Sequence, residues 1–397
     1  MRISYFADIR FPLERANGVQ TMETCHALAR RGHHVRLVVR PDTAVPPRDP
    51  FAYYGLHDLP ALRIERCPVP SWPPARRVAY LAHALRRIVM AGGTDVVLTR
   101  DLSLAAALLR LPAWLHPPIV YESHGYAPAV SSELPAIVSG SAPGSAAKLR
   151  RLAANERRVW RGARGYVTIT AALARELEER FGRRHTLAVV GDGARFAPLA
   201  DPGLRPRASA ETPVVGYAGH LYPWKGVDVL VRALAHLPGV CALVVGGLQA
   251  EPDLARVGAL ADQVAPGRVR FTGQVDPPRV AGWLREADVL VLPNTPTRIS
   301  AAYTSPLKLF EYMASGRPIV ASDLPSLREI LRPDANAVLV APGDPEALAR
   351  GVARVLDDPV FAATLARQAH RDLREYTWDK RAERLEAVLT GAMGGAV

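Results

Sequence analysis

Val289–Pro325 reads VLVLPNTPTRISAAYTSPLKLFEYMASGRPIVASDLP and alternates strand, loop, helix and strand. Val289–Leu292 is a short apolar run stopped by Pro293, as in a parallel strand buried on both faces. A polar loop runs to Ser305. Ser305-Pro306 then supplies a hydroxyl for the N-cap and a proline for the first helical position. Leu307, Phe310 and Met313 or Ala314 recur at helical spacing and would face a core, and Gly316 stands where a C-terminal glycine belongs. Pro318–Ser322 is the next strand. The helix start turns unpaired N–H groups and a positive dipole end toward the loop before it, which suits an anion. Glu311 can accept two hydrogen bonds at once and so suits a vicinal diol such as a ribose. A solvated glutamate on a capped surface helix fits the same spacing.

The same alternation extends outward in both directions. Ile3–Ala7 (strand), a loop over Asp8–Asn17, a helix from about Gly18 to Arg30 and Val35–Val39 (strand) make the chain open as βαβ. Gly18 stands at a helix start after a strand, where backbone can approach a phosphate; an N-cap made by Asn17 explains the turn equally well. Residues 41–76 show no clear periodicity. Helices over Arg77–Met90, Leu102–Leu109 and Ala171–Phe181 alternate with strands at Asp95–Leu98, Ile119–Tyr121, Gly165–Thr170 and Leu187–Val190. The strand at Ile119 runs into Glu122-Ser123-His124-Gly125, which places His124 at a carboxyl end, where open α/β sheets bind ligands. A structural histidine is the alternative. Residues 201–212 read as a linker of proline, glycine and small polar residues. A second βαβ follows: Val214–Ala218, the turn Gly219–Gly226, a helix over Val227–Leu237 and Cys241–Val245. Trp283–Asp288 is helical before the opening stretch, a strand lies near Ala337–Val340, and helices run from Pro345. Two doubly wound domains in tandem are expected.

At 397 residues the chain suits two domains of about 200 residues each. No apolar run reaches the ~18 residues of a membrane span, and MRISYFADIR enters a strand with no leader-like apolar region. Cys25, Cys67 and Cys241 are scattered and odd in number, so neither a disulfide framework nor a metal site is indicated, and a cytoplasmic location is expected. A net charge of +12 points to an anionic partner. Of 50 basic residues only Lys148, Lys225, Lys308 and Lys380 are lysines, and a compact ammonium is not interchangeable with a guanidinium. Residues 146–164 are helical, with Lys148, Arg150, Arg151, Arg157, Arg158, Arg161 and Arg164 against Glu156 alone. That face reads as a solvated arginine surface, as peripheral contact with an anionic membrane, or as a site for an acidic acceptor. Nucleic acid is a poor fit, because the arginines are dispersed and no base-stacking motif accompanies them.

The run SPLKLFEYMASGRPIVASDLPSLREI closely resembles the nucleotide-binding segment of retaining glycosyltransferases of family four, which have the GT-B fold. The resemblance covers nearly the whole chain, densest over 214–325 and thinnest over 41–110. It implies an α/β fold of two Rossmann-like, doubly wound domains facing a cleft. Residues 1–200 would be the acceptor-binding domain, 213–375 the nucleotide-sugar domain, and 376–397 a helix packing back on the first. Glu311 would hold the donor ribose, and the amides from Ser305 through Pro306 and Leu307 to Lys308 would meet the diphosphate. The family's first motif glutamate, eight positions before the second, is replaced here by Tyr303, beside Thr304. A subset of the family with a Ser-Pro-Leu-Lys run lacks that glutamate. Gly18 matches the glycine that packs beside the diphosphate, and His124 matches a histidine that contacts the donor sugar at the reacting face. Lys225 matches a lysine that neutralises the leaving diphosphate. His220 takes the place of its companion arginine, whose charge Arg298 could supply. Gln274 and Val275 match the turn whose backbone reads the nucleobase edge, and Gly191-Asp192-Gly193 stands where the family commonly has an asparagine-glycine turn.

The expected activity is retaining, front-face transfer of a sugar from a nucleoside-diphosphate-sugar donor, such as a UDP- or GDP-sugar, to a hydroxyl acceptor. That acceptor would be a bacterial surface glycan, a glycolipid or a secondary metabolite. No cofactor and no metal are expected beyond the donor itself. A nucleotide-sugar epimerase of the same architecture and a non-catalytic nucleotide-binding subunit are the alternatives, the second motivated by the missing arginine and glutamate.

Overall fold

Val289–Leu292 is a strand in which all four residues are buried, and Val96–Thr99, Gly165–Thr168 and Ile319–Ser322 are the same. Such uniform burial belongs to parallel sheets covered on both faces. These strands occur in a computed structural model that describes residues 1–90, 92–138, 140–199, 202, 211–249 and 251–394. The chain forms two units. Unit 1 holds Met1–Ser131, Gly144–Asp192 and the chain from Trp378; unit 2 holds Ser132–Pro143 and Gly193–Thr377. The linker expected at 201–212 falls outside the described residues apart from Pro202, Glu211 and Thr212.

Unit 1 is built on β1 (Arg2–Arg10), β2 (His34–Arg40), β3 (Leu62–Arg66), β4 (Val96–Thr99), β5 (Ile119–Ser123), β6 (Gly165–Thr168) and β7 (Leu187–Val189). They form one parallel sheet in the order β3-β2-β1-β4-β5-β6-β7, with Tyr5 opposite both Leu37 and Leu98. The chain winds outward from β1 to β3 and then returns to β4, so the crevice at the carboxyl ends of β1 and β4 is a topological switch point. The helix Trp378–Gly394 lies against the helix Ala16–Arg30 and against β4, β5 and β6.

Unit 2 is built on β8 (Val214–Ala218), β9 (Cys241–Val245), β10 (Val269–Gly273), β11 (Val289–Leu292), β12 (Ile319–Ser322) and β13 (Val338–Val340), in the order β10-β9-β8-β11-β12-β13 and all parallel. The period-2 alternation of β11 divides two cores. Val289 and Val291 join Val215, Tyr217 and Leu230 on one face, and Leu290 and Leu292 join Leu309, Phe310 and Met313 on the other. Its switch point lies between β8 and β11.

Several expectations need correction. β3 and the helix Pro50–Tyr54 lie inside the stretch read as aperiodic. β3 is an edge strand with only Leu62 fully buried, so it carries the brief alternation Leu62-Arg63-Ile64-Glu65 in place of the continuous apolar run of a covered strand. The polar loop before the key helix contains a helix of its own, Arg298–Ala302, capped by the Thr297 hydroxyl. The key helix runs Leu307–Ser315 with Pro306 as its extended N-cap residue at ψ 111°, so the Ser305 side chain is not the cap. The helix before β11 is Pro277–Arg285 rather than 283–288. The helix after β8 is α-helical only over Val227–Ala233 and tightens to a 3-10 turn at Leu234–His236.

Candidate active site

In unit 2 the two loops at the switch point are tied to each other. A Cβ on Gly226 would stand 1.9 Å from the Pro293 carbonyl oxygen, and Gly226 has φ +72°, so only glycine lets the loop after β8 lie on the exit of β11. The Thr295 N–H donates to the Trp224 carbonyl at 3.0 Å, and the Ser300 hydroxyl reaches the same oxygen at 3.4 Å. One step along the sheet, a Cβ on Gly246 would meet the Gly219 carbonyl at 2.2 Å, so the ends of β8 and β9 close up as well. The Ala218 N–H donates to the Tyr312 hydroxyl at 2.7 Å and fixes the key helix to β8. The Ser326 hydroxyl donates to the Ser300 carbonyl at 2.5 Å and the Thr304 hydroxyl to the Ile299 carbonyl at 2.6 Å.

That framework carries Lys225 and the start of the key helix. Lys225 is half-buried, with Nζ 3.9 Å from the centre of the Trp224 ring. Burial first, and the charge of Lys308 second, lower its ammonium to about 7. Among the described residues it has no carboxylate partner. Lys308 Nζ lies 2.7 Å from Glu311 Oε2, leaving Oε1 open, and both side chains are a quarter exposed. The N–H groups of Leu307 and Lys308 donate to no atom among the described residues. Tyr303, Thr304, Ser305 and Pro306 are buried beneath this turn, and the Arg298 guanidinium lies 5.9 Å from the Tyr303 ring. His220 stacks on Tyr222 at 5.0 Å, with Nδ1 3.5 Å from Glu251 Oε2. Gln274 is exposed and Val275 half-buried just past the end of β10.

Gly18 is closely packed. The helix starts at Ala16 with Arg15 as its cap residue, and the Gly18 N–H already donates to the Arg15 carbonyl at 2.8 Å. The space a Cβ would need is filled by the Leu13 carbonyl and the Tyr54 hydroxyl, each at 2.4 Å. Packing of Leu13 and the helix Pro50–Tyr54 accounts for this glycine.

In unit 1, His124 follows β5, and its Nε2 lies 2.6 Å from Glu122 Oε1. Glu122 is completely buried. Its Oε1 also accepts from Gln20 Nε2 at 2.5 Å, and its Oε2 accepts from Arg381 Nη2 at 2.7 Å. Burial opposes the carboxylate, but Arg381, His124 and Arg100 outweigh it and hold Glu122 well below the usual carboxylate range. Burial first, then the charge of Arg100, lower His124 to about 4, so its ring is neutral at pH 7. Burial raises Asp192 to about 6. Glu156, raised to about 7 by burial, accepts the N–H of Ala127 at 3.0 Å and so seats the helix that starts just after His124.

Glu122, Gln20, Arg100 and Arg381 were not singled out from the sequence. Two signals for them exist there. Glu122 is a carboxylate at the end of an otherwise apolar strand. Arg381 stands on the inward stripe of the last helix with Trp378, Leu385 and Leu389, all buried.

Likenesses of three kinds bear on this arrangement. The family described as "Glycosyl transferases group 1" matches residues 212–358, and the "Glycosyl transferase 4-like domain" matches 17–193. The chain is 30% identical to a protein of Xylanimonas cellulosilytica named D-inositol 3-phosphate glycosyltransferase, over 92% of this chain and 88% of that one. Among solved structures, sucrose-phosphate synthase from Thermosynechococcus elongatus superposes with a TM-score of 0.78 at 21% identity, covering 98% of each chain. Anabaena HepE in complex with UDP-glucose gives 0.71 at 20% identity, over 98% of this chain and 99% of that one.

Proposed function

The chain belongs to the glycosyltransferases of family four, with the GT-B fold, and on that premise we propose that it moves a sugar from a nucleoside-diphosphate-sugar donor to a hydroxyl acceptor with retention of anomeric configuration. The observation that carries the reading is the pairing, at the unit 2 switch point, of Lys225 with the two open N–H groups at the start of the helix Leu307–Ser315. A donor diphosphate supplies the negative charge that this arrangement lacks.

Unit 2 binds the donor. The N–H groups of Leu307 and Lys308 and the Lys225 ammonium hold the diphosphate, Glu311 Oε1 accepts from the ribose hydroxyls, and backbone at Gln274 and Val275 meets the base. Unit 1 binds the acceptor and contributes His124. In the reaction the bond from the anomeric carbon to the phosphate oxygen breaks, and negative charge grows on the departing phosphate, where Lys225 stabilises it. The acceptor oxygen bonds to the anomeric carbon on the same face, and its proton passes to the departing phosphate. No side-chain nucleophile is required at Tyr303. Two lysine ammonium groups and the helix amides supply the charge that a bridging metal ion supplies elsewhere, so the reaction proceeds without one. A phosphorylated polyol, the substrate class named for the Xylanimonas relative, is the first acceptor to try. The exposed basic face of the helix Ala146–Gly162 is suited to an anionic acceptor or an anionic membrane surface. No helix among the described residues is long and apolar enough to cross a membrane.

The test is product NMR after incubation with UDP- and GDP-sugars, with and without a chelator. Retention at the anomeric carbon and an unchanged rate in chelator are expected. Inversion would sink the front-face reading, and isomerised donor with no acceptor consumed would turn the assignment to an epimerase.

A further inference from the structure

What His124 can do depends on which ring nitrogen carries its proton, and unit 1 decides that through partners that each have one role. Arg100 Nη1 donates to Gln20 Oε1 at 2.7 Å. A guanidinium only donates, so this bond fixes the Gln20 amide with its oxygen toward Arg100 and its Nε2 toward Glu122. Glu122 Oε1 therefore accepts from Gln20 at 2.5 Å and lies 2.6 Å from His124 Nε2. An ionised carboxylate only accepts, so the proton of the neutral ring sits on Nε2. His124 Nδ1 is left as a lone pair, with no partner among the described residues.

The far side of Glu122 is held by Arg381, which is itself completely buried. Its Nε donates to the Thr24 hydroxyl at 3.0 Å, its Nη1 to the Val190 and Gly191 carbonyls at 2.9 Å each, and its Nη2 to Glu122 at 2.7 Å. Bonds to four different groups leave the guanidinium no alternative orientation. A buried ion pair adds little net stability over apolar side chains of the same volume, so stability alone does not call for this one. Its effect is to keep Glu122 ionised and in place two residues before His124.

We infer that Arg381 and Gln20 are positioning residues for the transfer reaction: through Glu122 they hold His124 as the Nε2–H tautomer and present Nδ1 as a hydrogen-bond acceptor for a sugar or acceptor hydroxyl. This inference rests on the transferase reading for its kinetic consequence, and on the geometry alone for the tautomer. The charged groups that set the ring's behaviour are Glu122, Arg100 and Arg381, with Asp192 acting on Arg381.

Two readouts test it on the full chain. Long-range proton–nitrogen correlation spectra at pH 7, with His124 identified by its loss in His124→Asn, should show the Nε2–H tautomer alone. The double variant Glu122→Gln, Arg381→Met removes both members of the buried ion pair together, and the introduced amide can turn either its oxygen or its NH2 to the ring. Both tautomers should then appear, and kcat should fall about 100-fold with the KM for the nucleotide sugar nearly unchanged, as expected for a misplaced group that does not bind the nucleotide. Arg381→Lys, which keeps the charge with fewer donors, should fall between the two. If the double variant fails to fold, as judged by loss of nucleotide binding, Arg381→Lys and the wild-type spectrum decide. An Nδ1–H ring in the wild type, or wild-type kcat in the double variant or in Arg381→Lys, overturns the inference. Absence of sugar transfer by the wild type would instead overturn the transferase reading and leave the tautomer result standing.

Discussion

The carboxyl edges of the two sheets handle charge in opposite ways. In unit 1 three cations near the edge meet carboxylates, Arg381 with Glu122, Arg77 with Asp8 and Asp101, and Arg48 with Asp42 and Glu14, while Arg100 donates to the Gln20 amide. In unit 2 the Lys225 ammonium has an indole face and a second lysine for company, and two helix N–H groups stand open beside the only lysine–glutamate pair of that turn. Most of the charge at the unit 1 edge is thus paired within the protein, whereas the Lys225 ammonium and the two helix N–H groups of unit 2 are not. The contrast fits the proposed binding of a donor diphosphate at the unit 2 edge.

The comparison breaks most visibly at Glu122. Glu122→Leu strands the buried Arg381 charge and should lower unfolding free energy in urea by about 3–5 kcal/mol, with most of it restored by adding Arg381→Met. A loss below about 1 kcal/mol would mean that water already screens the pair. Next in size, Lys225→Met should cut kcat about 100- to 1,000-fold, the usual cost of losing one group that stabilises a developing oxyanion. Its folding stability should not drop, because the replacement removes a charge that burial already disfavours. Equal losses in kcat from Lys225→Met and Arg48→Met would erase the distinction between the two edges. The smallest effect is expected at Glu311. Glu311→Ala should weaken nucleotide binding in calorimetry by about 1.5–3 kcal/mol, the worth of hydrogen bonds to a charged group, less what a freed Lys308 regains from the diphosphate. Unchanged affinity would leave Glu311 as the partner of Lys308 and nothing more.

Much of the fold is legible in the sequence because parallel strands buried on both faces are short apolar runs ended by glycine or proline. Val214–Ala218, Cys241–Val245 and Val289–Leu292 occupy the residues their patterns indicate. Edge strand β3 escapes that rule, having one covered face and a single fully buried residue. The shift of the key helix to Leu307 follows from Pro306, which can serve as an extended cap residue as readily as a first helical one. At Gly18 the crowding by Leu13 and Tyr54, which leaves no room for a Cβ, comes from residues 5 and 36 positions away and is not legible in the sequence. Glu122 and Arg381 meet across 259 positions, and no local pattern joins two residues so far apart. Lys225 is a candidate in the sequence because it stands in a loop after a strand and before a helix and matches a lysine of the family's motif, with the scarcity of lysine as a lesser signal. Its lowered pKa is not legible there, since that comes from burial and from Lys308, 83 positions away and brought near only by the fold.

Whether Lys225 organises a diphosphate site at the edge of unit 2 is read from proton uptake on binding. A nucleotide sugar has no phosphate group that titrates near neutrality, so a proton taken up there belongs to the protein. With the ammonium at about 7 in the free protein and raised beside a diphosphate, affinity should be greatest below pH 7. It should fall as pH rises above 7, by up to about tenfold per unit until the raised pKa is passed, with fractional proton uptake in calorimetry that is absent from Lys225→Met. An affinity that stays level from pH 6.5 to 8.5, with no proton uptake in the wild type, would contradict the account.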